Sequence, residues 1–206
     1  MRSPHGRGSR RDSEEERERL VDAFTRVAAE RGYAETEAAQ VALVAGLPPS
    51  AFDAHFSGKR QCLLAAYDRF FDRLVEEIED AMELGAAWPA QVKAGVGAAL
   101  GFVVESAGPA RLFAVEALSV GAPAVERYDA AIQRMVGLLR LGRGRSAKAA
   151  ALPPLTEAVL VAGAVSLVTS VLLAEEQVRL VELEPRLVEV LLLPYADAGE
   201  ARELVA

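Results

Sequence analysis

Seventeen consecutive residues, Ala158 to Ala174, carry no charge. A run of this kind must be covered by lipid or by protein, and it approaches the roughly 20 residues a helix needs to span a bilayer. Ala162, Gly163, Ala164, Ser166 and Ser170 make it weakly apolar for its length, and a second segment, Leu187–Leu193, repeats an apolar face at helical spacing. Two such helices from each of two subunits predict a four-helix homodimer interface rather than a membrane span. Leu160, Ala164, Leu167, Val171, Leu187, Val190 and Leu191 are the expected interface residues.

The other apolar residues are of the same kind. Of 206 residues 51% are hydrophobic but only 6% aromatic, so Ala, Val and Leu carry the apolar content, and Ala and Leu are good helix formers. The expectation is an all-α chain. The lone cysteine, Cys62, cannot form an internal disulfide, and the start does not resemble a signal peptide, which reads as cytoplasmic. A reactive thiol there would need a lowered pKa; otherwise it is inert.

The formal charge of −7 argues against nucleic acid only until it is divided along the chain. Residues 1–60 hold ten Lys/Arg and ten Asp/Glu, leaving 13 against 20 in the rest. Arg2, Arg7, Arg10 and Arg11 precede any acid, among Ser, Gly and Pro, and predict a basic flexible arm over residues 1–12. Such an arm either tracks DNA phosphates and the minor groove or is a solvated terminus.

Ser13 followed by Glu16 has the spacing of a capping box, and Leu20, Ala23, Phe24, Val27 and Ala28 then fall on one helical face until Gly32. The spacing predicts a helix over 13–31. Thr36 can cap a short helix over 37–43, a turn passes through Gly46, and Pro48 and Pro49 can open a third helix. Val41, Ala42, Gly46 and Phe52 stand where a helix-turn-helix needs an apolar contact, a small residue, a turn and a second apolar contact, although helical proteins that never meet DNA also show this pattern.

The flanks sharpen it. The run RERLVDAFTRVAAERGYAETEAAQVALVAGLPPSAFDAHFSGKRQCLLAAY, Arg17 to Tyr67, resembles the DNA-binding domain of the TetR family without a gap, at Gly32–Tyr33, Thr36, Val41–Ala42, Ala45–Gly46, Phe52, His55–Phe56 and Lys59. Beyond it, Trp88–Pro89, Gly108–Pro109, the break at Gly121–Pro123 and two apolar terminal helices are similar, more diffusely, to that family's C-terminal domain. The resemblance implies a ligand-responsive transcriptional regulator, in the common case a repressor released from a near-palindromic operator by a small apolar effector. It implies DNA contacts from Thr36, Pro49, Ser50, Ala51, Asp53, His55 and Lys59, with His55 facing a phosphate and Lys59 donating to backbone at the next helix start, to which the charge reading adds Arg7, Arg10 and Arg11 of the arm.

The reading helix departs from the family pattern. Where the resemblance leads one to expect a Ser/Thr-rich start and a Tyr before the His-Phe pair, this chain has Pro48, Ala51, Asp53 and Ala54. Asp53 puts a carboxylate in place of a phosphate-contacting phenol, and like charges repel. Either the Arg arm, Lys59 and Arg60 compensate, or the chain keeps the scaffold with its DNA binding lost or altered.

From Lys59 a long amphipathic stripe runs through Leu63, Leu64, Tyr67, Phe70, Phe71, Leu74 and Ile78, in the family a lever between domains. Proline-marked starts predict helices over 89–106, 109–120 and 123–141. Tyr67, Phe71, Trp88, Phe102, Phe113, Tyr128 and Met135 are candidate effector contacts, or ordinary core. Glu105 and Glu116 interrupt apolar faces and either meet a ligand's polar end or sit at helix edges. Residues 141–154, rich in Gly, Ala and Arg and ending in Pro153–Pro154, read as a mobile connector carrying Arg143, Arg145 and Lys148. The expected division is an arm over 1–12, a helix-turn-helix domain over 13–58 and an effector-binding and dimerisation domain over 59–206. With two His, one Cys, no phosphate loop and no metal-spaced ligands, the sequence holds no recognisable catalytic machinery, and no metal or cofactor is expected.

Overall fold

The computed structural model describes residues 6–83, 87–116, 120–145, 147–174 and 178–195, and all regular structure among them is helical. The helices are α1 (Gly6–Arg31), α2 (Ala38–Val44), α3 (Ser50–His55), α4 (Lys59–Glu83), α5 (Trp88–Glu105), α6 (Ala107–Arg111), α7 (Ala122–Arg140), α8 (Ala147–Ala150), α9 (Thr156–Leu173) and α10 (Val178–Leu192). A π turn, Leu112–Glu116, continues α6, and a 3₁₀ turn, Leu141–Arg145, follows α7.

Two compact units emerge. The first comprises residues 1–70 with 111–124, the second 71–110 with 125–206, so the division falls inside α4. In the first unit α1, α2 and α3 pack on one another around Leu20, Phe24, Val41, Phe52 and Phe56, each at most 2% exposed. Leu20 and Phe24 belong to the face that helical spacing marks on α1, and Val41 and Phe52 are the two apolar contacts of the helix-turn-helix spacing. Gly32 and Gly46 end α1 and α2 with φ of 85° and 68°, a region an L side chain enters at a cost.

In the second unit α10 packs on α5 and α9. Its core joins Trp88 and Val92 of α5, Val136 and Leu139 of α7, Ala149, Val161, and Val188, Leu191, Leu192 and Tyr195 at the chain's far end.

Several sequence expectations need correction. The first helix begins at Gly6 rather than Ser13, so Arg10 and Arg11 are exposed helical residues and not part of a loose arm; the side chain of Arg7 lies outside the described residues. Thr36 does not cap α2, because its hydroxyl donates 2.8 Å to the Gly32 carbonyl and Glu37 takes the cap position with no side-chain bond. The helix expected from Pro109 starts at Ala107 and loosens into the π turn. Residues 141–145 and 147–150 form a turn and a short helix, held by a buried ion pair described below.

Candidate functional site

The α2–α3 unit is fixed by its turn. Leu47 N–H donates 2.9 Å to Ala42 O and Gly46 N–H donates 3.0 Å to Leu43 O, the pair of bonds by which a left-handed glycine closes a helix. Ala42 and Val41 are fully buried against their neighbours, and α3 buries Ala51 and Phe52 while Pro49, Ser50, Asp53 and Ala54 face solvent. The outward face of α3 is thus short, neutral to acidic, and without a cation.

His55 and Lys59 are engaged inside the unit. His55 Nε2 lies 3.2 Å from Oε2 of Glu16 on α1, with its side chain 10% exposed. Lys59 Nζ donates to the carbonyls of Tyr33 and Ala34, at 3.2 and 2.8 Å, and sits 4.8 Å over the Tyr33 ring. It pins the chain between α1 and α2, and at α4's own start Gln61 Oε1 accepts from the Ser57 N–H at 2.7 Å. Thr36 is 1% exposed and Ala51 8%, so neither side chain is on the surface that Ser50 and Asp53 share. Burial pushes the Cys62 thiol up to about 12, the opposite of an activated cysteine.

The expected effector residues divide between the two units. Tyr67 and Phe113 meet edge to face, centroids 5.6 Å apart, in the first unit, with Phe70 5.0 Å from Phe113. In the second, Trp88 stands T-shaped to Tyr195 at 6.0 Å, Met135 packs on the same core, and Arg73 lies 5.7 Å over the Phe102 ring. Phe71 and Tyr128 are half-buried. Glu105 is exposed, so it is no buried carboxylate; the side chain of Glu116 lies outside the described residues.

The buried carboxylate of the second unit is one the sequence reading missed. Glu157, in the first turn of α9, has no exposure. Its Oε1 accepts from Arg143 Nε at 2.7 Å and from the Tyr195 hydroxyl at 2.9 Å, and its Oε2 from Arg143 Nη2 at 2.8 Å. These bonds hold its carboxyl down at about 2, the Arg143 bonds outweighing desolvation, while burial first and then the bond to Glu157 push the Tyr195 phenol up. Arg143 also donates to the carbonyls of Leu152 and Pro153, both at 2.7 Å, which fastens the segment before α9. A carboxylate just before a charge-free run was the available signal; an ion there must find a partner.

Of the expected dimer residues, Leu187 and Leu191 are buried within the chain, Leu191 in the core that includes Trp88 and Val92 of α5. They are corrected from interface to core, since both side chains are already covered within the chain. Leu160, Ala164 and Val171 are half-buried, and Leu167 and Val190 are half-exposed, alongside Leu155 and Val159 at 71% and 68%. By length and composition α9 could cross a membrane, and little of it is buried. Among the described residues no group of three or more His, Cys, Asp or Glu is placed to hold a metal.

Residues 20–66 match the model of the bacterial regulatory proteins of the tetR family. No curated protein matches the chain by sequence. The fold is shared with the fatty acid degradation regulator FadR from Bacillus halodurans (TM-score 0.76, 18% identity, 93% of this chain and 96% of that one). It is shared with FadR from Bacillus subtilis in complex with stearoyl-CoA (0.71, 16%, 86% and 98%). AibR in complex with isovaleryl coenzyme A and operator DNA is a more distant likeness (0.61, 16%, 76% and 85%). The helix-turn-helix closed on Gly46 lies inside the segment matched by the tetR family model, and the all-helical fold around it is the one these regulators share.

Proposed function

We propose that the chain is a homodimeric repressor of the cytoplasm that holds a near-palindromic operator through α2 and α3 and releases it when an acyl thioester of coenzyme A binds. The observation that carries this is the helix-turn-helix itself: α3 is held by the Gly46 turn with Ser50, Asp53 and Ala54 outward, the exposure a recognition helix needs. Arg10 and Arg11, exposed on α1, supply positive charge that α3 lacks. The division of labour follows the sequence: a basic start, a helix-turn-helix through residue 58, and effector binding and dimerisation in the remainder. The effector class is supported by the stearoyl-CoA and isovaleryl-CoA of the two neighbours. In the second unit the aromatic and sulfur side chains of Phe71, Phe102, Tyr128 and Met135 are of the kind an acyl chain packs on. Dimerisation is assigned to the exposed Leu155, Val159, Leu167 and Val190, an apolar surface that needs covering.

A mobility-shift assay with the chain's own upstream DNA, with and without stearoyl-CoA, tests it. A shift abolished by the thioester is the expected result, and a shift that persists at saturating thioester refutes release. One observation favours a second reading, a ligand-binding relative with lost or altered DNA contact: α3 presents a carboxylate and no cation, and both His55 and Lys59 are engaged elsewhere in the unit. That reading expects thioester binding with no shift at all.

A further inference from the structure

Between Asp129 and Glu157 the chain runs 27 residues, Ala130 to Thr156, with five Lys/Arg and no carboxylate, while the rest of the chain holds 18 Lys/Arg against 30 Asp/Glu. Charge of one sign gathered in an oppositely charged protein calls for an anion. The fold neutralises two of the five directly, Arg134 with Asp72 and Arg143 with Glu157.

Arg140 and Arg145 are placed differently. Arg140 Nε is 4.0 Å from Glu157 Oε2, but that carboxylate already accepts from Arg143 and Tyr195, and the Arg140 side chain is 52% exposed. Arg145 is exposed and its guanidinium lies 5.9 Å over the Trp88 ring. Since Trp88 abuts Tyr195 and Tyr195 is bonded to Glu157, the guanidiniums of Arg140, Arg143 and Arg145 gather around one aromatic pair and the Glu157 carboxylate.

The cations stand on a rigid turn. Gly142, between them, lies so close to Trp88 that a Cβ there would be 2.6 Å from Cε2 and 2.8 Å from Nε1. That buried indole N–H has no hydrogen-bond partner among the described residues and faces the turn. Arg143, through four hydrogen bonds, locks the turn to residues 152, 153 and 157. A backbone turn held this way fixes where the exposed Arg140 and Arg145 side chains start, which lowers the ordering entropy lost when they fork onto phosphate oxygens.

We infer that the turn Arg140–Arg145 is an anion site, and that it takes the diphosphate end of the coenzyme A thioester; this rests on the effector class proposed above. The acyl end would then be read elsewhere by apolar side chains, and the turn would recognise the carrier.

Calorimetric titration of the full-length protein with free coenzyme A, with pyrophosphate and with pantetheine, which lacks the diphosphate, tests the site. Coenzyme A and pyrophosphate should bind, compete with each other and weaken with salt, whereas pantetheine should not compete with pyrophosphate. Arg140→Gln/Arg145→Gln should weaken coenzyme A about tenfold or more, as expected on loss of charge-assisted bonds, and the Lys/Lys variant should restore part of it. Circular dichroism checks that both variants keep their helices. Because Trp88 is the chain's one tryptophan, its emission should also respond to coenzyme A. Equal affinity of wild type and Gln/Gln variant for coenzyme A, or no binding of coenzyme A and pyrophosphate by the wild type, overturns the site. If stearoyl-CoA still releases DNA from the Gln/Gln variant at the wild-type concentration, the site falls and the regulator stands. If coenzyme A binds through these arginines while DNA is unaffected by the thioester, the regulator reading falls and the site stands.

Discussion

Arg143 and Glu157 face each other with two parallel hydrogen bonds, Nε to Oε1 at 2.7 Å and Nη2 to Oε2 at 2.8 Å, and the carboxylate is wholly buried while the guanidinium keeps 22% of its side chain exposed. The pair joins the 3₁₀ turn to the first turn of α9, and Tyr195 ties the chain beyond α10 to the same carboxylate.

Glu157→Gln should cost about 3 kcal/mol in denaturant unfolding, at the low end for breaking a buried pair because Arg143 reaches water. The folded carboxyl is held at about 2, below its ordinary value, so its contribution is present above the ordinary carboxylate range and is lost as pH falls toward 2. Stability of the wild type should therefore drop between about pH 5 and 2 by a component that the Gln variant lacks. Parallel pH profiles for the two proteins would mean the pair does not couple to folding.

Gly142→Ala should destabilise by about 1–3 kcal/mol, the usual cost of overpacking, because the new methyl meets the rigid Trp88 ring. Gly95→Ala is the control. There the Cβ would meet Met82 Cγ at 2.9 Å, a flexible side chain that can yield, and helix propensity favours Ala by about 1 kcal/mol. Thermal melts should separate the two clearly, with a red-shifted tryptophan emission only in the Gly142 variant.

Charges at Leu167 and Val190, each about half-exposed, should leave the helices intact and yield a particle of 21.9 kDa in light scattering, where the wild type should give twice that mass. Asp at Leu191 should instead unfold the second unit, because that side chain lies in the chain's own core. A dimer that survives both surface charges would move the interface off this face.

Asp53→Tyr should tighten DNA binding by about 1 kcal/mol, the size of a polar contact, and do so regardless of base sequence, as phosphate contacts do. Weaker binding would make Asp53 a specificity determinant, for instance an acceptor for a cytosine amino group.

Local signals in the sequence determined the class of the chain. Apolar residues at helical spacing, Gly32 and Gly46 after two helices, and Pro89 and Pro123 in first turns act within a few residues of themselves, so α1 through α3, α5 and α7 were legible to within a turn at most of their ends. Tertiary structure alone decided where the polar atoms and the apolar faces went. Thr36 had a good capping sequence, yet its hydroxyl is nearer a carbonyl of the preceding turn; Arg143 looked like part of a loose connector until Glu157, 14 residues on, gave it a buried partner. Leu187, Val190 and Leu191 share one stripe by spacing, but the fold buries the first and last, Leu191 in the core with α5's Trp88 and Val92, and leaves Val190 to solvent. Periodicity states which residues lie on one side of a helix; which neighbour arrives to cover that side, and which buried charge it must neutralise, depends on contacts between segments far apart in the chain.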